Sequence, residues 1–193
     1  MYALVIDNTI NKIITSPKSL VIGDVRYPAK IFQVWTKAEK EAIGLYEVVT
    51  DASNFKDEEY YNNTNEQYNF ADGQVTRSWG TATAKRLNDE YDDNDKLVSY
   101  GLKSKKKNII KQQAQGLLNK TDWYVIKASE VESYSVPEEI TQYRADVRAK
   151  SNEMETAIDN ATDVDALKTL YTYTRQENGD LTRPLGEFPT EVV

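Results

Sequence analysis

Apolar positions in residues 2 to 80 recur in short runs and alternations, the pattern of half-buried strands. Tyr2 to Ile6 and Lys12 to Thr15 flank a turn at Asp7-Asn8-Thr9, and Leu20 to Ile22 and Ile31 to Val34 read as two further short strands. Thr36-Lys37-Ala38-Glu39 then spells a capping box, in which Thr36 and Glu39 each satisfy a free backbone N–H at the start of a short helix. Gly44 ends that helix where a left-handed residue is wanted, and Leu45 to Val49 resumes as a strand. Tyr68-Asn69-Phe70-Ala71 and Val75-Thr76-Arg77-Ser78-Trp79 alternate about Asp72-Gly73, the strongest hairpin signal in the chain. Tyr68, Phe70, Val75 and Trp79 are expected to share burial. So small a sheet has a marginal core, and a partner surface is expected to support it.

The period lengthens further along. Leu102, Ile109, Ile110, Ala114, Leu117 and Leu118 fall at helical spacings, with the basic cluster Lys103, Lys105, Lys106 and Lys107 on and beside the outer face. Ser135-Val136-Pro137-Glu138 reads as a second capping box. The helix it opens carries Ile140, Tyr143, Val147, Met154 and Ile158 nearly on one face, and Thr162-Asp163-Val164-Asp165 starts another. The pattern predicts an α+β chain in four parts: a small antiparallel β-rich domain over 1–80, an acidic linker over 81–95, a helical hairpin or bundle over 96–174, and an extended C-terminal arm over 175–193. The arm has no period and carries two prolines and two glycines.

Composition narrows the chemistry. The chain has 193 residues, 39% of them hydrophobic and 28% charged, within the range of folded domains. It contains no cysteine and no histidine, which removes disulfides, thiol catalysis, histidine-dependent triads and histidine-ligated metals. A net charge of -7 opposes binding to nucleic acid or to an anionic membrane surface. The start MYALVIDN lacks the basic leader and long apolar run of a signal peptide, and a cytosolic product, later built into a particle, is expected.

No phosphate loop, dinucleotide-binding glycine pattern or nucleophile elbow is present, and the carboxylates fall mainly in linkers and on helix faces. The expectation is a non-enzymatic protein with no catalytic residue, cofactor or metal. The run Asp92-Asp93-Asn94-Asp95 lacks the glycine and glutamate of an EF-hand loop and is read as solvated. Most of the 13 tyrosines and three tryptophans sit at core spacings, whereas Tyr60 and Tyr61 lie in the polar loop 51–66 and are read as exposed contact residues. In Thr121-Asp122-Trp123-Tyr124, Thr121 is expected to cap a helix and Asp122 to favour its positive end. Trp123 and Ile126 are expected to pack on the Ile140/Tyr143 stripe.

LLNKTDWYVIKASE followed by VPEEITQYRADVR resembles the C-terminal segment of phage tail-assembly-chaperone-like and tail-fibre-associated proteins. The resemblance rests on Leu117, Leu118, Thr121, Asp122, Trp123, Tyr143, Arg144, Arg148 and the Phe188-Pro189-Thr190 end. Upstream, YPAKIFQVWTKAEKEAIGLYEVV and NFADGQVTRSWGTATA are similar to a helix-strand run and an aromatic hairpin common in phage tail proteins. The chain departs from that plan in a longer stretch between Trp123 and Tyr143 and in a further helix after Arg148. The resemblance implies a tail component or assembly chaperone that binds tail or tail-fibre polypeptides, through exposed strand edges of the β-half and through the arm. Asp122, Trp123, Tyr143, Arg144, Tyr60, Tyr61 and Phe188 are the residues expected to bind a partner or anchor helices. A homo-oligomer, and location in the virion tail or in the host cytoplasm during assembly, accord with it. The alternative is a carbohydrate-binding or carbohydrate-cleaving tail accessory.

Overall fold

Alternate residues of the first strand feed two separate cores. In the computed structural model, which describes residues 1–192, the chain divides into two units, Met1–Thr83 and Ala84–Val193. The first unit contains β1 (Tyr2–Ile6), β2 (Thr9–Ile14), β3 (Leu20–Ile22), β4 (Val25–Tyr27), α1 (Ile31–Val34), α2 (Lys37–Glu41), β5 (Leu45–Thr50), β6 (Tyr61–Asn62), β7 (Gln67–Ala71) and β8 (Gln74–Ser78). β9 (Thr83–Ala84) lies at the division. The main sheet runs β2-β1-β5-β8-β7, and its two outermost strands touch each other, so the sheet curls. Ala3 and Val5 meet Val75, Tyr46 and Phe70 on one face. Ile14 and Leu45 meet Ile31, Phe32 and Tyr2 on the other, which α1 and the β3–β4 hairpin cover. Since side chains alternate along a strand, one strand serves both cores only if each parity is apolar, and Ala3-Leu4-Val5 satisfies that.

The local turn chemistry accounts for the hairpins. Asp7 and Asn8 have φ of 48° and 59°, and Asp72 and Gly73 have 51° and 72°, the paired positive values of a type I′ turn. The Thr36 capping box forms in full, with Glu39 N–H on Thr36 Oγ1 at 3.3 Å and Thr36 N–H on Glu39 Oε2 at 2.7 Å. The Thr36 N–H, and then the Thr36 hydroxyl donating to the same oxygen at 2.8 Å, hold the Glu39 carboxyl below its ordinary pKa. Gly44 takes φ of 79° with Val5 O only 2.3 Å from where a Cβ would stand, so no other residue fits there.

Three expectations for this unit change. The sheet is mixed rather than antiparallel, because β5 pairs parallel with β8 in the register Val48↔Val75. The intervening loop carries the chain across, and the β7–β8 hairpin enters with its second strand inside. Ile31 to Val34 is one helical turn, not a strand, as a four-residue apolar run does not fix its own period. Of the four residues expected to share burial, Phe70 and Val75 pack together, whereas Tyr68 donates its hydroxyl to Glu66 at 2.8 Å and Trp79 packs edge-on against Phe55 at 4.8 Å, with the Arg77 guanidinium 4.4 Å from its ring centre.

The second unit holds β10 (Glu90–Tyr91), β11 (Leu97–Ser99), α3 (Leu102–Asn119), α4 (Asp122–Glu130), α5 (Glu138–Asn160), α6 (Val164–Tyr171), β12 (Thr174–Arg175) and β13 (Leu181–Thr182). α3 and α5 run antiparallel: Lys107 pairs with Asp159 at 2.8 Å and Lys111 with Glu155 at 3.4 Å, while Arg144 reaches Leu118. α5 buries Ile140, Tyr143, Val147, Ser151, Met154 and Ile158, and α3 buries Leu102, Lys106, Ile110 and Ala114. Lys106, expected on the outer face, therefore turns inward, with its ammonium 4.2 Å from the Tyr171 ring centre, whereas Ile109 is exposed. Strict four-residue spacing drifts about 40° per step, so the buried stripe winds around α3 instead of running straight.

Residues 86–89, within the stretch 81–95 expected as a linker, pack onto the head of α3. Leu102 and Lys103 donate their N–H groups to Arg86 O and Leu87 O, and the Asp89 carboxylate accepts from Gly101 N–H at 2.7 Å and from Ser104 Oγ at 2.8 Å. These contacts satisfy the free donors of a helix start that has no capping side chain of its own. A Cβ on Gly101 would stand 2.3 Å from Asn88 C, so this close approach requires glycine. Asp92 folds the β10–β11 turn by accepting from Asn94 and Lys96 N–H. α5 begins at Pro137 with no side-chain cap, so the Ser135 box does not form. α6 is capped by Asp163, which accepts from Ala166 N–H at 2.7 Å. The expected extended arm instead folds back within its unit: β12 and β13 pair, and Leu185, 1% exposed, donates its N–H to Leu170 O.

Candidate functional site

The junction of α3 and α4 is built on a polar lock. Thr121 sits between the helices, fully buried, and its hydroxyl donates to Leu118 O at 2.9 Å. It makes no side-chain cap for α4, contrary to expectation, because that oxygen faces back towards α3 and accepts from Arg144. Arg144 Nη1 lies 2.8 Å from Leu118 O, 2.7 Å from Thr121 Oγ1 and 2.8 Å from Asp122 Oδ1. Its two hydrogens are thus shared among three acceptors. Arg144 is nearly buried and Asp122 half exposed, so the pair is desolvated mainly on the cationic side, where the Leu118 carbonyl and Thr121 hydroxyl replace water. Asp122 also occupies the first turn of α4, where the helix dipole favours an anion.

Tyr143, one residue before Arg144, is 3% exposed and packs with Ala114, Val147, Leu117, Leu118 and Phe188. Burial, and then the Glu191 carboxylate, push its phenol above the ordinary tyrosine value, and Lys120 opposes them. Its hydroxyl has no hydrogen-bond partner among the described residues. Phe188 is held over this cluster, and Lys120 pairs with Glu191 at 2.6 Å just beyond it. The terminal segment thus anchors on the same helices that carry the lock.

Beyond its first turn, α4 differs from the other long helices. None of its residues is buried. Trp123, expected against α5, is 50% exposed, and Val125 and Ile126 are 43% and 55% exposed. Trp123 and Tyr124 meet in a tilted contact with ring centres 4.0 Å apart, and Lys127 reaches towards both Trp123 and Tyr134. Arg144 explains the placement, because holding Asp122 at the junction turns the next residue outward. A cleft of about 420 Å³ opens beside the lock, rimmed by Lys111, Gln115, Asn119 and Arg148.

Tyr60 and Tyr61 stand elsewhere, in the first unit, and are not exposed contact residues: they are 2% and 5% exposed. Loop 51–66 closes over them through Asn63, which accepts from Lys56 N–H at 2.9 Å and donates to Lys56 O at 2.7 Å. Burial, with Glu59 and Asp57 adding to it, raises the Tyr60 phenol to about 12. The structure thus brings Asp122, Tyr143, Arg144 and Phe188 together, with Trp123 on the adjoining surface, while the two tyrosines belong to the core of the first unit. Thr121 and Leu118 complete the lock. Their roles are invisible to local pattern, since both depend on a guanidinium more than twenty residues away.

Among the described residues no three acidic, cysteine or histidine side chains gather to hold a metal, and no helix is long and apolar enough to cross a membrane. No family model, curated protein or solved structure matches the chain.

Proposed function

We propose that this chain is a non-enzymatic protein of a tailed bacteriophage that holds a tail or tail-fibre polypeptide against α4. The observation that carries the reading is the exposed Trp123, with half-buried Tyr124 beside it and exposed Val125 and Ile126 following, on a helix locked at one end by Asp122 and Arg144. Aromatic anchors on a positioned helix are the usual centre of a protein interface. Some of the residues behind the phage-tail resemblance meet at this lock: Leu118, Thr121 and Asp122 touch Arg144 directly, and Tyr143 and Phe188 share a cluster with Leu118. The contact surface is therefore assigned to the helical unit instead of the sheet edges, two of which meet as the sheet curls.

Capture of tail and tail-fibre polypeptides from an infected-cell extract, by wild type and by the Trp123→Ala/Ile126→Ala pair, tests the reading. Wild-type capture that the double variant loses supports it, and equal capture by both removes α4 from the interface. Mass spectrometry of purified virions then separates a permanent component, present at fixed copy number, from a chaperone absent from the particle. The carbohydrate alternative loses Tyr60 and Tyr61 and rests on the Trp123 face alone; a glycan array and a reducing-sugar assay without signal dispose of it.

A further inference from the structure

From the β-rich unit we infer a second binding site, a carboxylate-binding cavity between β2 and the β3–β4 hairpin that takes an acidic segment of a partner polypeptide. The cavity measures about 340 Å³ and has Leu4, Ile14 and Leu20 in its apolar lining. Lys12, Lys18 and Arg26 also line it, and no acidic residue does. None of the three cations has an ion-pair or side-chain hydrogen-bond partner among the described residues, although acids outnumber bases in the chain, 31 to 24. Elsewhere in the same unit Lys37 pairs with Glu41, and Arg77 pairs with Glu66.

Register puts Lys12 on the cavity side of the sheet, and it, Lys18 and Arg26 are all exposed to an entering ligand. Lys12 pairs with Leu4 across β1 and β2, so both side chains rise from the face that also carries Ile14 and that the β3–β4 hairpin covers. Arg26, opposite Val21 in the hairpin, and Lys18, in the segment before β3, bring positive charge from two other directions. A recess lined by one sign of charge over an apolar floor focuses its field on an entering anion. The mixed lining selects among anions. Aliphatic walls leave a bare phosphate unmatched, and the net charge of -7 repels the remainder of a nucleic acid or an anionic membrane. A peptide alternating carboxylates with aliphatic side chains matches both the cations and the floor.

This site rests on the proposed function only for the source of the peptide. The test uses the full chain and a fluorescent peptide, Asp-Val-Asp-Leu-Asp, against its Asn-Val-Asn-Leu-Asn counterpart, read by anisotropy at low and high salt. The acidic peptide should bind at least about tenfold more tightly than the amide one, with an advantage that shrinks as salt rises. Lys12→Glu/Arg26→Glu should remove that advantage. Lys18→Glu, outside the strands, should weaken binding severalfold even if the pair fails to fold. Equal binding of the two peptides, or an unchanged advantage in the folded variants, overturns the inference. So does competition by inorganic phosphate at the same concentration as the peptide. Binding that persists while Lys12→Glu aggregates makes Lys12 a guard of the β2 edge, and the site fails. Failure here leaves capture through Trp123 untouched, and loss of that capture leaves peptide binding in place.

Discussion

Two adjacent aromatic pairs lie in opposite surroundings. Tyr60 and Tyr61 belong to a polar loop yet are buried, while Trp123 and Tyr124 belong to a helix yet neither is buried, Trp123 being half exposed. What differs is whether the chain returns over them. Loop 51–66 closes on itself through Asn63 and Lys56 and roofs its tyrosines. Nothing in its unit buries any residue of α4, whose position comes from the Arg144 lock at its first turn. One pair therefore stabilises the fold, and the other is left free by it. The comparison breaks if removing either ring proves equally costly.

The largest expected effect is at the loop. Tyr61→Ala should lower the stability of the first unit by about 3–4 kcal/mol, since it opens a cavity beneath a closed loop. Chemical denaturation followed by circular dichroism measures it, and a change below about 1 kcal/mol would mean that the loop is no roof.

Next comes the lock. Arg144→Ala removes the cation on which Leu118 O, Thr121 Oγ1 and Asp122 Oδ1 converge, at an expected cost of about 2–3 kcal/mol. Hydrogen exchange should show faster exchange concentrated in α4, with α3 and α5 still protected. Arg144→Lys should rescue only part of the loss, because an ammonium does not reproduce the planar guanidinium. Uniform exchange across the three helices would remove the distinction between a helix held by polar contacts and helices held by burial.

The legibility of these regions follows the range of the interactions that set them. Asp72-Gly73 and the Thr36–Glu39 box were readable because each acts within four residues, whereas the approach of Val5 O that excludes a side chain at Gly44 comes from a distant strand. The α+β division followed from the change of period. Thr121 was misread because Arg144, 23 residues on, turns its hydroxyl away from the helix that it precedes. Tyr60 and Tyr61 were misread because loop polarity says nothing about closure. Lys106 was misplaced because the stripe on α3 winds, and the parallel β5–β8 pair is a matter of chain crossing that periodicity does not encode.

Alkali sharpens the contrast between the two pairs. A phenol raised in the folded state keeps its proton while the unfolded chain loses one, so stability is full below about 10 and falls as pH rises towards the folded value. For Tyr60 that folded value is about 12. The denaturation midpoint of the first unit should therefore drop across this window, and Tyr60→Phe should flatten the drop. A midpoint that stays level in wild type would mean that the ring reaches water.

The smallest expected effect on stability carries the most about function. With its ring half exposed, Trp123 has little packing to lose, and Trp123→Ala should change stability by less than about 1 kcal/mol. Capture of a tail polypeptide should fall at least about tenfold in the same variant, as for a central interface aromatic. Loss of capture together with a large loss of stability would instead make Trp123 part of the fold. The informative pairing is with Arg144→Ala, which leaves the aromatic pair chemically intact but unlocks the helix that presents it. If α4 binds only when held, that variant should also lose capture, although it touches no partner. If capture survives in Arg144→Ala, a partner must order α4 by itself. The lock would then matter for the free protein alone.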